Sequence, residues 1–348
     1  MEVNCEERYQ IMGDMFIGLG LLFVVLVLFS LFSMKMPKGQ KAMSGMADAA
    51  VASFLVEAIH KFILGDALAI PFFFEVGNLA GSLGGVAAAA LVPINMGVNP
   101  VLAVSAALAL GEFGILPGFI AGYIIGLIAP IIEKKLPEGV NIIAGALTCS
   151  ALAYLIALIV NPVVTTVLEY VGGSISAAAE QQPLVMGFLL GGIMKVVCTA
   201  PLSSMALTAM LGLTGLPMGI ASIACVGGAV SNGVVFHRMK YGNRGNVIAV
   251  MLEPLTQAVI VTSHPLTVYS GSFIGGALSG VAAAVLGIVN NAPGTASPIP
   301  GLLAPFAFND PIKVLIAIAF AVVGGSIGGI LVSTFFLHKE KKAAPTAN

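Results

Sequence analysis

A chain of 348 residues that is 58% hydrophobic and only 9% charged, with a mean hydropathy of +1.03, is far from the roughly 25% charge of soluble domains and is an integral membrane protein. Its formal net charge of -1 gives no footing for a nucleic-acid partner. Apolar runs recur throughout, so most of the chain belongs to one all-α polytopic bundle of about eight to ten crossings or re-entrant pieces.

The first apolar run, MFIGLGLLFVVLVLFSLF over 15–32, follows Glu2, Glu6, Glu7 and Arg8 and precedes Lys35, Lys38 and Lys41. The positive-inside rule puts the N-terminus outside and 35–41 in the cytoplasm. The acidic start argues against a cleaved signal peptide. Residues 42–64 place Ala49, Ala52, Phe54, Val56, Ile59, Phe62 and Ile63 on one stripe beside Asp48, Glu57, His60 and Lys61. That pattern predicts an amphipathic helix at the interface, with a second spanning helix as the alternative.

Further along, Gly 42 and Pro 19 are abundant, as expected where helices pack closely or break beside protein-lined cavities. Trp is absent, so Phe and Tyr must supply any aromatic belt. Three more basic clusters follow: Glu133-Lys134-Lys135, His237 to Lys240 with Arg244, and the tail His338 to Lys342. All should be cytoplasmic, so an even number of crossings separates each neighbouring pair. The division is an N-terminal helix and loop over 1–41, a transport domain over 42–337 and a cytoplasmic tail over 338–348. Cys5, Cys149, Cys198 and Cys225 lack C-x-x-C spacing and read as small hydrophobes.

Two pairs of segments resemble each other. NPVLAVSAALALGEFGILPG (99–118) resembles APLSSMALTAMLGLTGLPMG (200–219), and GSLGGVAAAALVPIN (81–95) resembles GALSGVAAAVLGIVN (276–290). They reflect either an internal repeat or the chance likeness of Ala/Gly-rich helices. A repeat would place a transporter's binding site between corresponding broken helices.

A charged or amide side chain at bilayer depth costs about 2.5 to 3.5 kcal/mol, so each needs a partner, a cavity or a task. Asp66, Glu75 and Asn78 flank Pro71, and Asn95 and Asn99 flank the prolines at 93 and 100. Glu112 precedes Pro117, and Lys195 precedes Pro201. Glu253 and His264 stand directly before Pro254 and Pro265. Proline pushes its predecessor out of helical geometry and frees a carbonyl, so these pairings mark helix breaks able to bind a polar solute. Local readings compete with this one. Glu112 can cap the helix start near Leu116-Pro117, Asn95 and Asn99 can bond freed backbone, and Lys195 can pair with a buried carboxylate. His60 and His237 read as interfacial. No G-x-x-x-x-G-K-[ST], H-E-x-x-H, G-x-S-x-G or Cys/His metal spacing is present, so neither a complete catalytic site nor a metal or cofactor site is expected.

The stretches LAGSLGGVAAAALVPINMGVNPVLAVSAALALGEFGILPGFIAGY, CTAPLSSMALTAMLGL, SNGVVFHRMKYGN and MLEPLTQAVIVTSHPL resemble the membrane-embedded IIC component of the bacterial phosphotransferase system. More narrowly, they resemble a divergent group that includes perfringolysin-regulator-type membrane proteins. The resemblance spans about 40–335. It implies a homodimer in the bacterial inner membrane, re-entrant hairpins, and a transport domain that moves elevator-fashion. It also implies a hairpin Glu on sugar hydroxyls with a His nearby. Met251-Leu252-Glu253-Pro254 keeps the family's Glu-Pro but has Leu252 in place of its Thr. His264, at a break, suits the histidine role better than His237. No soluble segment here is large enough for a IIB module, so phosphoryl transfer would require separate IIA/IIB chains docking near 35–41 and 237–244.

The expected function is a permease for a small polar solute, a sugar or sugar derivative, working by alternating access. Its expected binding residues are Glu253, His264, Glu75, Asn78, Asn95, Asn99, Glu112 and Lys195. Two other readings stay open. One is a secondary transporter of an anionic metabolite, with coupling ions at Asp66, Glu75 or Glu112. The other is a membrane sensor that controls gene expression through a partner.

Overall fold

The computed structural model describes residues 17, 20, 21, 24, 27, 28, 31–137, 139–200 and 204–343. Most of the apolar run 15–32, the acidic residues before it, Cys5 and Pro201 lie outside the described residues. Among the described residues there are helices and turns and no strand. The chain divides into two compact units. Unit 1 is Met1–Leu19, Ser174–Ser204 and Leu213–Asn348; unit 2 is Gly20–Gly173 with Met205–Gly212.

Unit 2 opens with α1 (Gly39–Ala50), which continues as π-helical Val51–Leu55 and Ala58–Ala67. Lys38 starts it with positive φ, and its ammonium donates to the Met96 carbonyl at 2.7 Å. The interfacial helix expected over 42–64 is therefore part of one longer rod, Gly39–Asp66, long and apolar enough to cross a bilayer. Its polar side chains are tied locally: Lys61 pairs with Glu57 at 2.9 Å, and the His60 ring stacks on Phe73 at 5.3 Å. Next come α2 (Pro71–Ser82) and α3 (Gly84–Asn95), bent by 57° at their junction. Then follow α4 (Pro100–Leu108), α5 (Ile115–Lys135) and the first part of α6 (Val140–Gln181). The short α8 (Ser204–Met210) also falls mostly in this unit. The break expected at Pro93 comes two residues later. Pro93 sits inside the last turn of α3, and its carbonyl accepts from Val98 N–H at 3.0 Å. A Cβ at Gly85 would fall on the Phe113 carbonyl, so this glycine lets α3 lie directly against the turn before α5.

Unit 1 holds the end of α6, α7 (Pro183–Thr199), α9 (Gly215–Met239), α10 (Arg244–Leu252), α11 (Ala258–Ser263), α12 (Pro265–Val285), α13 (Pro298–Leu303) and α14 (Pro311–Ala343). The most enclosed candidate span is α9. Helices α7 and α12 touch backbone to backbone, because a Cβ at Gly280 would strike the Gly187 carbonyl; Gly325 of α14 stands the same way against Gly227 of α9. Lipid offers no hydrophobic drive for helix pairing, so such close backbone contact is the main source of cohesion.

Six helices among the described residues are long and apolar enough to span a membrane, or seven if α2 and α3 count as one span. The count leaves out the first expected span, 15–32, most of which lies outside the described residues, and the shorter apolar helices α7 and Pro298–Ala307. Segments 99–118 and 200–219 both form a short helix, a glycine turn and the start of a long helix. However, 81–95 precedes the first of these while 276–290 follows the second. A single tandem duplication therefore does not join both pairs.

Candidate functional site

In unit 1 two broken, short-helix segments meet. The first runs from Tyr241 to His264. Its opening helix α10 carries a capping box, with Asn246 N–H donating to Asn243 Oδ1 at 3.1 Å and Asn243 N–H to Asn246 Oδ1 at 2.8 Å. This satisfies donors that a helix start otherwise leaves free. The helix stops at Glu253, which Pro254 forces into extended geometry, φ −150 and ψ 98. The freed Glu253 carbonyl accepts from Thr256 N–H at 3.2 Å and from its hydroxyl at 2.8 Å. The chain then folds back through a 3-10 turn, Pro254–Gln257, and Asn246 Nδ2 donates to Gln257 Oε1 at 2.7 Å. His264 closes the base, its ring stacked on Tyr241 with centroids 3.8 Å apart. A nine-residue helix reaches only about 13 Å, less than half of a hydrocarbon core about 30 Å thick. Glu253 is thus at the tip of a hairpin too short to cross a bilayer.

The second segment leaves α12 at Val285 and returns at α14. Its neck is closed by Asn309, which mimics a backbone pair: Val289 N–H donates to Asn309 Oδ1 at 3.0 Å, and Asn309 Nδ2 donates to the Val289 carbonyl at 2.6 Å. Lys313 Nζ adds a bond to the Gly287 carbonyl at 3.1 Å. Inside the loop Asn290 is fully buried, donating to Ser222 Oγ and Thr295 Oγ1 at 2.8 Å each. The loop delivers Ser297 to the first hairpin, where its hydroxyl donates to Glu253 Oε2 at 3.4 Å.

The same unit holds a polar seam on α7. Lys195 is 0% exposed, and its stem runs over Gly228 and Gly276, where a Cβ would collide with it. Its ammonium contacts Cys198 Sγ at 3.9 Å. One turn on, Thr199 accepts from Asn232 Nδ2 at 3.0 Å and from Ser272 Oγ at 3.0 Å, and Ser272 also donates to Asn232 Oδ1 at 2.7 Å. All three are buried. A hydrogen-bonded polar seam of this kind is costly to leave half-satisfied, and here its members satisfy one another.

The predicted residues separate by unit. Glu253, His264 and Lys195 fall in unit 1, and Glu75, Asn78, Asn95, Asn99 and Glu112 in unit 2. Lys195 contacts Cys198 Sγ at 3.9 Å, and Glu253 contacts Ser297 at 3.4 Å. His264 stands at the hairpin base, at the far end of the stretch 254–263 from Glu253, and is exposed. Glu75 and Asn78 are exposed on α2. The two asparagines near the prolines are locally engaged. Asn95 Nδ2 donates to Asp48 Oδ2 at 3.1 Å and to the Leu91 carbonyl at 3.0 Å, and Asn99 caps α4 by accepting from Val101 N–H at 2.8 Å. The capping reading for Glu112 does not hold: Gly114 is the N-cap of α5, with no side-chain cap, and Glu112 lines a cavity instead. Sequence reasoning missed Ser297, Thr199, Asn232, Ser272 and Asn290. The run NNAPGTASPIPG over 290–301, polar and proline-rich between two long apolar helices, was the available signal for a second broken segment. Among the described residues no three His, Cys, Asp or Glu side chains gather to hold a metal ion.

A family model described as "Phosphotransferase system, EIIC" matches residues 40–345. No curated protein matches the chain.

Proposed function

The chain belongs to the phosphotransferase system EIIC family, and from that premise we propose that it is a bacterial inner-membrane permease carrying a sugar or sugar derivative by alternating access. The observation that supports this reading is the meeting of two broken segments at Glu253 and Ser297, in the unit that also holds the buried Lys195. Broken helices inside a membrane protein expose backbone groups only where these line a cavity, and paired discontinuous segments commonly frame a transported solute.

In this proposal the Glu253 carboxylate accepts hydrogen bonds from sugar hydroxyls, since an ionised carboxylate has acceptors only and pairs strongly with donors. Ser297 holds Oε2 until a sugar hydroxyl replaces it. Lys195 offsets the carboxylate charge from within the protein. His264, stacked on Tyr241, steadies the hairpin base as the tip exchanges partners. EIIC components work with IIA and IIB partners; in this proposal they dock on the basic loops near 35–41 and 237–244, and the permease is a homodimer with its N-terminus outside and C-terminus cytoplasmic.

The test is a thermal-shift screen of the purified protein against sugars, sugar acids and sugar phosphates, because a ligand that binds only the folded state raises its apparent stability. At least one sugar should raise the Tm saturably. Glu253→Gln should erase that rise and uptake into vesicles while leaving the unliganded Tm within a few degrees. If Glu253→Gln responds like the parent protein, the site assignment is wrong. If no sugar shifts the parent protein, the substrate class is wrong.

A further inference from the structure

Unit 2 contains a cavity of about 560 Å³ that the sugar-site reading does not use. This lies within the range of small-molecule sites, about 300 to 1,000 Å³. Two loop tips line it: the turn after α4, which carries Glu112, and the turn after α8 at Leu211-Gly212. Phe54 and, on α6, Asn161 and Thr165 line it as well.

The charge balance of this cavity is one-sided. Glu112 is the sole ionisable residue among those lining it, and its carboxylate has no hydrogen-bond or ion-pair partner among the described residues. The nearby Glu57 carboxylate abuts Gly81, a lining residue, but is already paired with Lys61 at 2.9 Å. The site thus presents one unmatched negative charge. Its remaining polar groups are few: Ser82, Asn161 and Thr165, with the Thr165 hydroxyl already donating to Asn161 Oδ1 at 3.4 Å. Most other side chains on the wall are aliphatic, including Ile115, Leu116 and Leu168, with the Phe54 ring among them.

This donor set does not suit a bare metal ion. Hard cations want about six oxygens at close range, and the lining supplies only a carboxylate and a few scattered hydroxyl and amide groups around a space many times the size of an ion. A neutral polyol is also a poor match, because the aliphatic walls would leave most of its hydroxyls unpaired. A single positive charge on a carbon frame suits the cavity better. The charge would pair with Glu112, the aromatic face would add a cation–π contribution, and the apolar walls would cover the carbon groups.

We propose that this cavity binds a monovalent organic ammonium, with Glu112 as its counter-ion and Phe54 as its aromatic wall. The same chemistry is carried by a free amine and by the ethanolamine headgroup of a membrane lipid. The proposal is independent of the sugar site in unit 1.

The experiment uses the full chain, delipidated in detergent, with Tm followed against choline chloride and ethanolamine hydrochloride. Sodium chloride at equal ionic strength and sorbitol serve as controls. A second arm compares the protein in nanodiscs of phosphatidylethanolamine and of phosphatidylglycerol. Choline or ethanolamine should raise the Tm saturably where sodium and sorbitol do not. Glu112→Gln should weaken the response at least tenfold without lowering the unliganded Tm by more than a few degrees, and Thr165→Phe, which fills the cavity from an exposed position, should abolish it. If stabilisation appears only in phosphatidylethanolamine discs and Glu112→Gln removes it, the ligand is the lipid headgroup. A response unchanged in Glu112→Gln, an equal response to sorbitol, or no response in either arm overturns the proposal.

Discussion

Lys195 carries the heaviest electrostatic demand in unit 1, because its side chain is 0% exposed and its ammonium faces a thiol at 3.9 Å. In the proposed site it offsets the Glu253 carboxylate, and removing one partner of a buried charge pair costs about 3 to 5 kcal/mol because the other charge is left uncompensated. Lys195→Met should therefore lower the Tm and remove the sugar-induced shift, because the methionine fills the same channel over Gly228 and Gly276 but leaves the Glu253 carboxylate without its counter-charge. Lys195→Ala empties that channel and should cost about 2 to 5 kcal/mol by chemical denaturation, as large-to-small changes in packed interiors do. A Lys195→Met protein that still responds fully to sugar would make the lysine structural. Individual residues were legible in the sequence when proline stood beside them. Glu253 was found through Glu-Pro, and the structure puts it at a hairpin tip. Asn95 and Asn99 carried the same signal, yet they serve the local backbone. Proximity to a proline marks a chain break, whereas a neighbouring hydrogen-bond partner decides whether the polar group is spent there.

The two broken segments owe their shape to side chains that imitate backbone. Asn309 bridges Val289 through both its amide atoms, closing a loop that would otherwise leave buried carbonyls unpaired. Asn309→Ala would strip these bonds and should cost about 1 to 3 kcal/mol, the penalty for orphaned buried groups. Amide exchange across 286–308 should accelerate ahead of exchange in α9, and equal protection in both proteins would count against the neck. Helix contacts follow a different rule. Gly280→Leu would drive a side chain into the Gly187 carbonyl and should destabilise unit 1 by about 1 to 3 kcal/mol or more, read as a lower Tm. Most element types were legible, since long apolar runs can only be helices in lipid. The rod Gly39–Asp66 is long enough for the spanning alternative, and its Glu57 and Lys61 neutralise each other within the helix.

Among the described residues, the six candidate spans fall in pairs between the four basic clusters: Gly39–Asp66 and Ile115–Lys135, Val140–Leu168 and Gly215–Met239, then Pro265–Val285 and Pro311–Lys339. With α2 plus α3 and the 17-residue α7 taken as not crossing, we propose that an even number of crossings separates neighbouring clusters, as the positive-inside rule requires. Single cysteines introduced at Lys41, Lys135, Lys240 and Lys339 in a background without native cysteines should be shielded from an impermeant thiol reagent in intact cells and labelled in inverted vesicles. Labelling of any one from outside would break the parity. The composition alone settled that this chain lives in a bilayer as helices, because an unpaired backbone cannot survive there, and the spacing of basic residues and prolines showed where helices turn and break. Which broken ends meet was decided only by the tertiary fold. The Glu253 to Ser297 contact joins residues 44 positions apart, and the seam of Lys195, Asn232 and Ser272 draws on three separate helices. Such meetings depend on glycine faces that let backbones touch, and a glycine in a sequence does not say which carbonyl will fill the space it leaves.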